Sequence, residues 1–252
     1  MNVAVLVTAM LVFARVGGLV AGLPLIATQG VPKSVAVMIS ALVTLLVLPG
    51  VPPIEPGGLG MLAMAVLGEL LLGVTMALSI SAVFAAIAAA SELMTMQIGL
   101  GLAMMLDPLQ KAQNGTVGVL ASWLSGTAFL GMGLHHECLL LVARSFAMVP
   151  PGSGVLPTAA APYLMAAVGA CIALGLQLAG PVLVLVWLVN CFVALLAKLA
   201  PRMNVFFSIG LTTTSIVGVA LLAFSLPWIV TVHGTAMAQA VRELERYILA
   251  VP

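Results

Sequence analysis

Charge is the scarcest property of this 252-residue sequence, with Asp, Glu, Lys and Arg together only 6% of it. Soluble domains carry roughly 25% charged residues, so a water-facing surface cannot be built here, and most of the surface must face lipid or other protein. Aspartate occurs once, at Asp107, which removes a paired-aspartate intramembrane protease. Cysteine is almost as rare. Cys138, Cys171 and Cys191 sit in apolar surroundings with no C-x-x-C pair, and they read as small buried hydrophobes, not as a disulfide or metal framework. A net charge of +1 offers no basic face for nucleic acid. No Gly-rich loop ending in Lys-Ser or Lys-Thr occurs, so ATP hydrolysis is not expected of this chain. The first fourteen residues hold no Lys or Arg. The basic start of a signal peptide is therefore missing, and the N-terminus is expected to be a retained first membrane segment.

What is present is apolar residue in long runs: 63% of the chain is hydrophobic and the mean hydropathy is +1.30. A spanning helix needs about 20 mostly apolar residues. Such runs cover residues 3–27 (interrupted by Arg15), 34–48, 59–96, 117–134, 162–197 and 205–232, the last with Pro227 near its end. The proline- and glycine-rich stretches 49–58 and 150–154 separate them, because proline fixes φ and removes a donor. Residues 236–249 carry Arg242, Glu243, Glu245 and Arg246 and look like an amphipathic helix end. The runs do not alternate with period two, as barrel strands would. The expected class is all-α, a membrane-associated protein of about six long helices, with no soluble domain or low-complexity linker.

Two features set these runs apart from a plain lipid-facing bundle. Arg15, Glu69, Glu92, Arg144 and Lys198 lie inside apolar segments, where each costs about 2.5–3.5 kcal/mol or more at a bilayer centre unless it faces protein or water. Small residues are dense, as in Ala85-Ala86-Ile87-Ala88-Ala89-Ala90-Ser91 and Gly169-Ala170, and they let backbones approach closely. Both features suit helices packed in a large assembly, and both suit an ordinary multi-span protein with internally buried polar groups. Arg15 and Glu69 are open to two readings, a buried charge pair across helices or an ion pathway. Lys and Arg are spread over several connections without alternation, so the positive-inside rule assigns no orientation.

The segment from Glu92 to Gly115 differs from its surroundings. It holds Met94, Met96, Met104 and Met105, the helix-loosening Gly99 and Gly101, the turn-favouring Asp107-Pro108, and then Gln110, Lys111, Gln113 and Asn114. A soft apolar strip thus leads into a polar loop. Methionine has three rotatable bonds and can seal around a changing object, which describes a gasket or plug. On the residues alone, methionine as generic apolar filler is the favoured reading.

The order of motifs over nearly the whole chain resembles the FliR family, called SctT in virulence secretion systems. The matching residues are Arg15, Pro24 and Val31-Pro32-Lys33 near the start. Glu92, Gln97, Gly99, Gly101, Asp107-Pro108, His135-His136, Ser145 and Pro150 follow in the middle. Pro181-Val182-Leu183, Val189-Asn190 and Ala200-Pro201-Arg202-Met203-Asn204-Val205-Phe206 complete it. Two positions depart from the pattern: the family often has Arg at Lys198 and Gln at Arg202. The Asp107-Pro108 form looks more like the flagellar branch.

The resemblance implies a non-enzymatic structural and gating subunit of the flagellar type III protein-export gate, at the bacterial inner membrane in the flagellar basal body. It implies a single copy in a helical hetero-oligomer with several FliP and FliQ subunits. FlhB, rod proteins and unfolded export substrates are further partners, and no cofactor is implied. A FliP-like part is expected over residues 1–155, followed by a FliQ-like helical hairpin over 156–252. The family's plug loop falls on Met104 to Gly115, so Met104, Met105, Leu106, Asp107, Pro108, Gln110, Lys111 and Asn114 are the expected gasket, with Gly99 and Gly101 as hinge. Arg15, Glu69, Glu92, Arg144, Lys198, Arg202 and Asn204 are the expected buried polar or inter-subunit residues. In the family the assembled helices lie largely above the plane that hydropathy suggests.

Other constellations are weaker. His135, His136 and Glu137 are adjacent and lack His-Glu-x-x-His spacing, so they fit a polar helix end better than a metal site. A serine protease needs a serine and a histidine together within helices, and Ser153 in a proline-rich loop with the late His233 makes a poor pair. The serious alternative is a proton- or ion-coupled secondary transporter, for which the intramembrane charges are the motive. Such proteins usually show two similar halves with paired broken helices, and the Gly99-x-Gly101 break has no clear partner in the second half.

Overall fold

The computed structural model describes residues 3–24, 31–55, 57–101, 115–153, 160–199 and 210–249. Among them are seven α-helices and no strand, so the all-α class expected from the sequence holds. The helices are α1 (Val3–Gly22), α2 (Lys33–Val47), α3 (Leu59–Ile98), α4 (Thr116–Gly131), α5 (Leu134–Met148), α6 (Ala160–Leu199) and α7 (Leu211–Leu249). α1, α3, α6 and α7, and α2 together with the 3-10 turn that extends it to Gly50, are each long and apolar enough to cross a membrane, and the bent pair α4–α5 makes a sixth if taken as one span. Helices of forty residues, such as α3 and α6, would extend about 60 Å, twice a hydrocarbon core of about 30 Å.

Local chemistry sets the boundaries. α2 starts directly after Pro32 and gives way to a short 3-10 turn, Leu48–Gly50, that contains Pro49. Between α4 and α5 the chain turns at Gly133, whose φ of +71° lies in the left-handed region that glycine enters without penalty. The apolar run 117–134 gives no sign of this turn or of a separate helix over 134–148. α5 ends at Met148, and Val149 after it is extended (φ −120°, ψ 94°), the conformation favoured before a proline. Pro227 does not end the last helix. α7 continues through it and takes in the charged tail, with Thr231 Oγ1 donating to the Pro227 carbonyl at 2.8 Å.

The chain forms two compact units. The first comprises residues 1–83, 129–169 and 237–252. In it α2 packs along α1, and Val7 and Leu11 of α1 meet Ala65 of α3. Ile54, in the Pro-rich connection, lies against the same cluster, and its backbone N–H donates to Thr8 Oγ1 at 2.9 Å. α1 and the first part of α3 cross with no room between them. A Cβ at Gly18 would lie 2.9 Å from the Leu70 carbonyl oxygen, and one at Gly73 would collide with the Arg15 carbonyl. Gly18 and Gly22 on one helix face Gly73 and Ala77 on the other, the small-residue spacing that lets membrane helices touch backbone to backbone.

The second unit comprises residues 84–128 and 170–236. Its core joins Ile87, Ala90, Met94 and Ile98 of α3 to Val117 and Ala121 of α4, Leu178, Val182 and Val186 of α6, and Leu222 and Ile229 of α7. Gly175 of α6 sits against the Ala86 carbonyl. Even so, α6 and α7 are thinly covered. Only 17% of the most apolar window of each is buried, against 56% for α3.

Candidate functional site

Arg15 and Glu69 are two of the apolar-segment charges singled out by the sequence, and they meet in the first unit. Arg15 Nε donates to Glu69 Oε2 at 2.6 Å, with both side chains almost wholly buried. The other Arg15 nitrogens are also engaged: Nη1 donates to Ser145 Oγ at 3.0 Å and Nη2 to the Val149 carbonyl at 2.9 Å. The guanidinium lies 4.2 Å from the centre of the Phe146 ring, a favourable cation–π placement. Glu69 uses its second oxygen to accept the Gly152 N–H at 3.1 Å, and Gly152 adopts a φ of +76°. One ion pair thus ties α1, α3, the end of α5 and the turn after it. Charge-assisted bonds of this kind are the strong ones, and buried charges are tolerated only when satisfied in this way.

The second cluster surrounds the end of α3, immediately before the Met-rich segment. α3 stops at Ile98 because Gly99 takes φ +86°, the usual glycine at a helix C-terminus. Gly99 N–H closes the end onto the Met96 carbonyl at 3.2 Å. The Ile98 carbonyl, which has no continuing helix to bond, accepts from Ser215 Oγ of α7 at 3.0 Å. A Cβ on Gly218 would lie 2.7 Å from the Ile98 side chain, so only glycine lets α7 receive this residue. Thr214 Oγ1 in turn donates to Asn190 Oδ1 of α6 at 2.8 Å. A side chain at Gly101, in contrast, would make only ordinary contacts.

The remaining sequence-selected residues are dispersed. Met94 is buried in the core of the second unit, whereas Met96 is exposed. Glu92 is half-buried. Arg144 is exposed and pairs with Glu245 at 2.9 Å. Lys198 is exposed in the last turn of α6, where a cation complements the helix dipole. Met104, Met105, Leu106, Asp107, Pro108, Gln110, Lys111 and Asn114, with Arg202 and Asn204, lie outside the described residues. His135, His136 and Glu137 occupy the first turn of α5, and no group of three metal-ligating side chains occurs among the described residues.

One pair escaped the sequence reading. His233 of α7 meets Ser125 of α4, not the loop serine Ser153, with Oγ and Nε2 2.7 Å apart. A histidine inside an apolar run must find a buried partner, but the hydroxyls available to it are many and 108 positions separate the two. The Phe84 ring stands edge-on to the imidazole, and among the described residues His233 Nδ1 has no hydrogen-bond partner, so none of them stands as the third member of a catalytic triad there.

Residues 6–240 match the family model described as bacterial export proteins, family 1. The chain belongs to the FliR family of bacterial export proteins. Among its relatives is the flagellar biosynthetic protein FliR of Caulobacter vibrioides, 31% identical over 228 residues, covering 89% of this chain and 90% of that one. The flagellar biosynthetic protein FliR of Pectobacterium carotovorum is 31% identical over 222 residues, covering 86% of this chain and 83% of the relative. The Escherichia coli K12 protein of the same name is 27% identical over 216 residues, covering 85% and 82%. These matches run nearly end to end, so family membership applies to both compact units.

Proposed function

We propose that this chain is a non-enzymatic structural and gating subunit of the flagellar type III protein-export gate. It forms part of the entrance pore for unfolded export substrates in the inner membrane, within the flagellar basal body. The observation that carries the reading is the match of residues 6–240 to a family of bacterial export proteins whose relatives of this chain are named flagellar biosynthetic proteins. In this reading several copies of FliP and FliQ are the neighbours, with FlhB, rod proteins and substrates as further partners. Residues 1–155 are the FliP-like part and 156–252 the FliQ-like hairpin. Residues 104–115 are the plug, with Met104 and Met105 as its soft contact surface and Gly99 and Gly101 at its stem.

Two physical features support a subunit over a self-sufficient carrier. Only 17% of the most apolar window of α6 and of α7 is buried by this chain, as expected of helices that neighbouring subunits cover. An ion-coupled transporter needs an intramembrane charge free to bind and release its ion, whereas Arg15 and Glu69 are held by each other and by Ser145, Val149 and Gly152. Hydrolysis at Ser125 is disfavoured by burial, since Ser125 and His233 are 0% and 1% exposed. The test is to delete residues 104–115 in the complete export complex in cells. The complex should still assemble while the resting membrane leaks ions and small molecules; a membrane as tight as the unaltered one would reject the plug assignment.

A further inference from the structure

We infer that the outward face at the end of α7, which carries Arg242 and Arg246, docks an acidic segment of a neighbouring protein subunit, an inference that rests on the subunit reading above. The last turns of α7 belong to the first unit. Met237, Val241, Leu244, Tyr247 and Ile248 are buried there, so the opposite side, with Gln239, Arg242, Glu243 and Arg246, faces outward. In a chain with only 6% charged residues this is a dense charged patch, and the exposed Arg144–Glu245 pair adjoins it.

The charges of the patch do not satisfy one another. Arg242 and Arg246 make no ion pair or hydrogen bond among the described residues. Glu245 is engaged by Arg144, and Glu243, one turn before Arg246, forms no ion pair with it. Residues four apart share a helix face, and like charges there repel. Arg246 complements the helix dipole in the last turn; Arg242, a turn earlier, has no such compensation. A carboxylate brought from outside would meet two guanidinium groups, whose planar forks suit it. The height of the patch within the unit selects protein over lipid. Arg144 adjoins Ser145, which accepts from Arg15, and Arg15 stands near the middle of α1. The Arg144–Glu245 pair thus lies at mid-height of a helix of spanning length. Were this face bathed in lipid, hydrocarbon would meet charged side chains that are 57% and 36% exposed, which is costly. Headgroup phosphates begin about 15 Å from a bilayer's centre, well away from a patch at this height.

The experiment isolates the tagged full chain with its complex from cells. Arg242→Glu with Arg246→Glu sets like charge against an acidic partner, and Arg242→Gln with Arg246→Gln removes the charge alone. Both double variants should accumulate in the membrane as the unaltered chain does, because the two positions are exposed. Each should retain about tenfold less of one partner subunit, the effect of losing one charge-assisted hydrogen bond. Arg242→Lys with Arg246→Lys keeps the charge and should retain that subunit. It also supplies amines, so a carbodiimide should link position 242 or 246 to an Asp or Glu of another subunit, read by mass spectrometry of the linked peptides. Full retention of every partner by either charge-removing variant, or links confined to Glu243 and Glu245 of the same chain, overturns the inference and leaves the subunit reading standing. Anionic phospholipid that accompanies the unaltered complex and is lost on charge reversal, with all partner subunits kept, assigns the face to lipid and also overturns it. An unaltered chain that comes out with no other protein removes the subunit reading and this inference with it.

Discussion

Breaking the Arg15–Glu69 pair from one side should damage the protein more than removing both partners. At an effective dielectric of about 20, charges 2.6 Å apart attract by about 6 kcal/mol. Desolvation offsets this by several kcal/mol per ion, so the intact pair contributes little net. Glu69→Ala upsets that balance: the guanidinium stays buried without its counter-charge, and the Gly152 N–H loses its acceptor. Leaving one partner alone costs about 3–5 kcal/mol. Arg15→Met with Glu69→Met removes both charges at similar volume and should cost less than either single change. The readout is the midpoint of thermal unfolding for purified complexes in mild detergent, followed by the loss of helical circular dichroism. The expected order is unaltered protein, then the double variant, then the two single variants. Single variants as stable as the unaltered protein, or a double variant worse than both, would refute the argument.

Gly73→Ala should destabilise the first unit by about 1–3 kcal/mol, the usual cost of overpacking, because its Cβ collides with the Arg15 backbone. Gly17→Ala on α1, with nothing within 4 Å of its Cβ, should be neutral or stabilise by up to about 1 kcal/mol; the same melting assay compares them. Ser125→Ala should cost about 1–3 kcal/mol by leaving His233 Nε2 buried and unpaired, and Ser125→Ala with His233→Leu should recover part of that loss. A serine-directed fluorophosphonate should leave folded protein unlabelled at Ser125, since the hydroxyl is inaccessible; mass-spectrometric detection of the adduct would reopen a hydrolase role.

The helical class was legible because apolar runs of spanning length survive any arrangement of the helices. Their ends were less so. The turn at Gly133 lies in an unbroken apolar run and depends on one left-handed glycine. The passage of α7 through Pro227 reverses the usual reading of proline as a terminator. The helix is carried past it with Ser225 and Thr231 hydroxyls bonded to nearby carbonyls, as membrane helices commonly manage. For Arg15 and Glu69, position inside apolar runs left a buried pair and an ion pathway equally open, and Ser145, Val149 and Gly152 are brought to them by a turn whose geometry the sequence does not display. The pairing of Ser125 with His233 and the Ser215 bond to a backbone carbonyl are choices of packing. Nothing in the local pattern marks one hydroxyl above the others. The Met-rich segment remains a reading from residue chemistry and family resemblance, since residues 102–114 lie outside those described.

Whether this chain works as one covered subunit of a larger gate is tested most directly by isolating the tagged chain gently from native membranes and measuring the mass and composition of what accompanies it. One copy of this chain with several copies of FliP and FliQ in a single complex is the expected result. A lone chain or symmetric homo-oligomer that moves a small solute across liposomes by itself would contradict it.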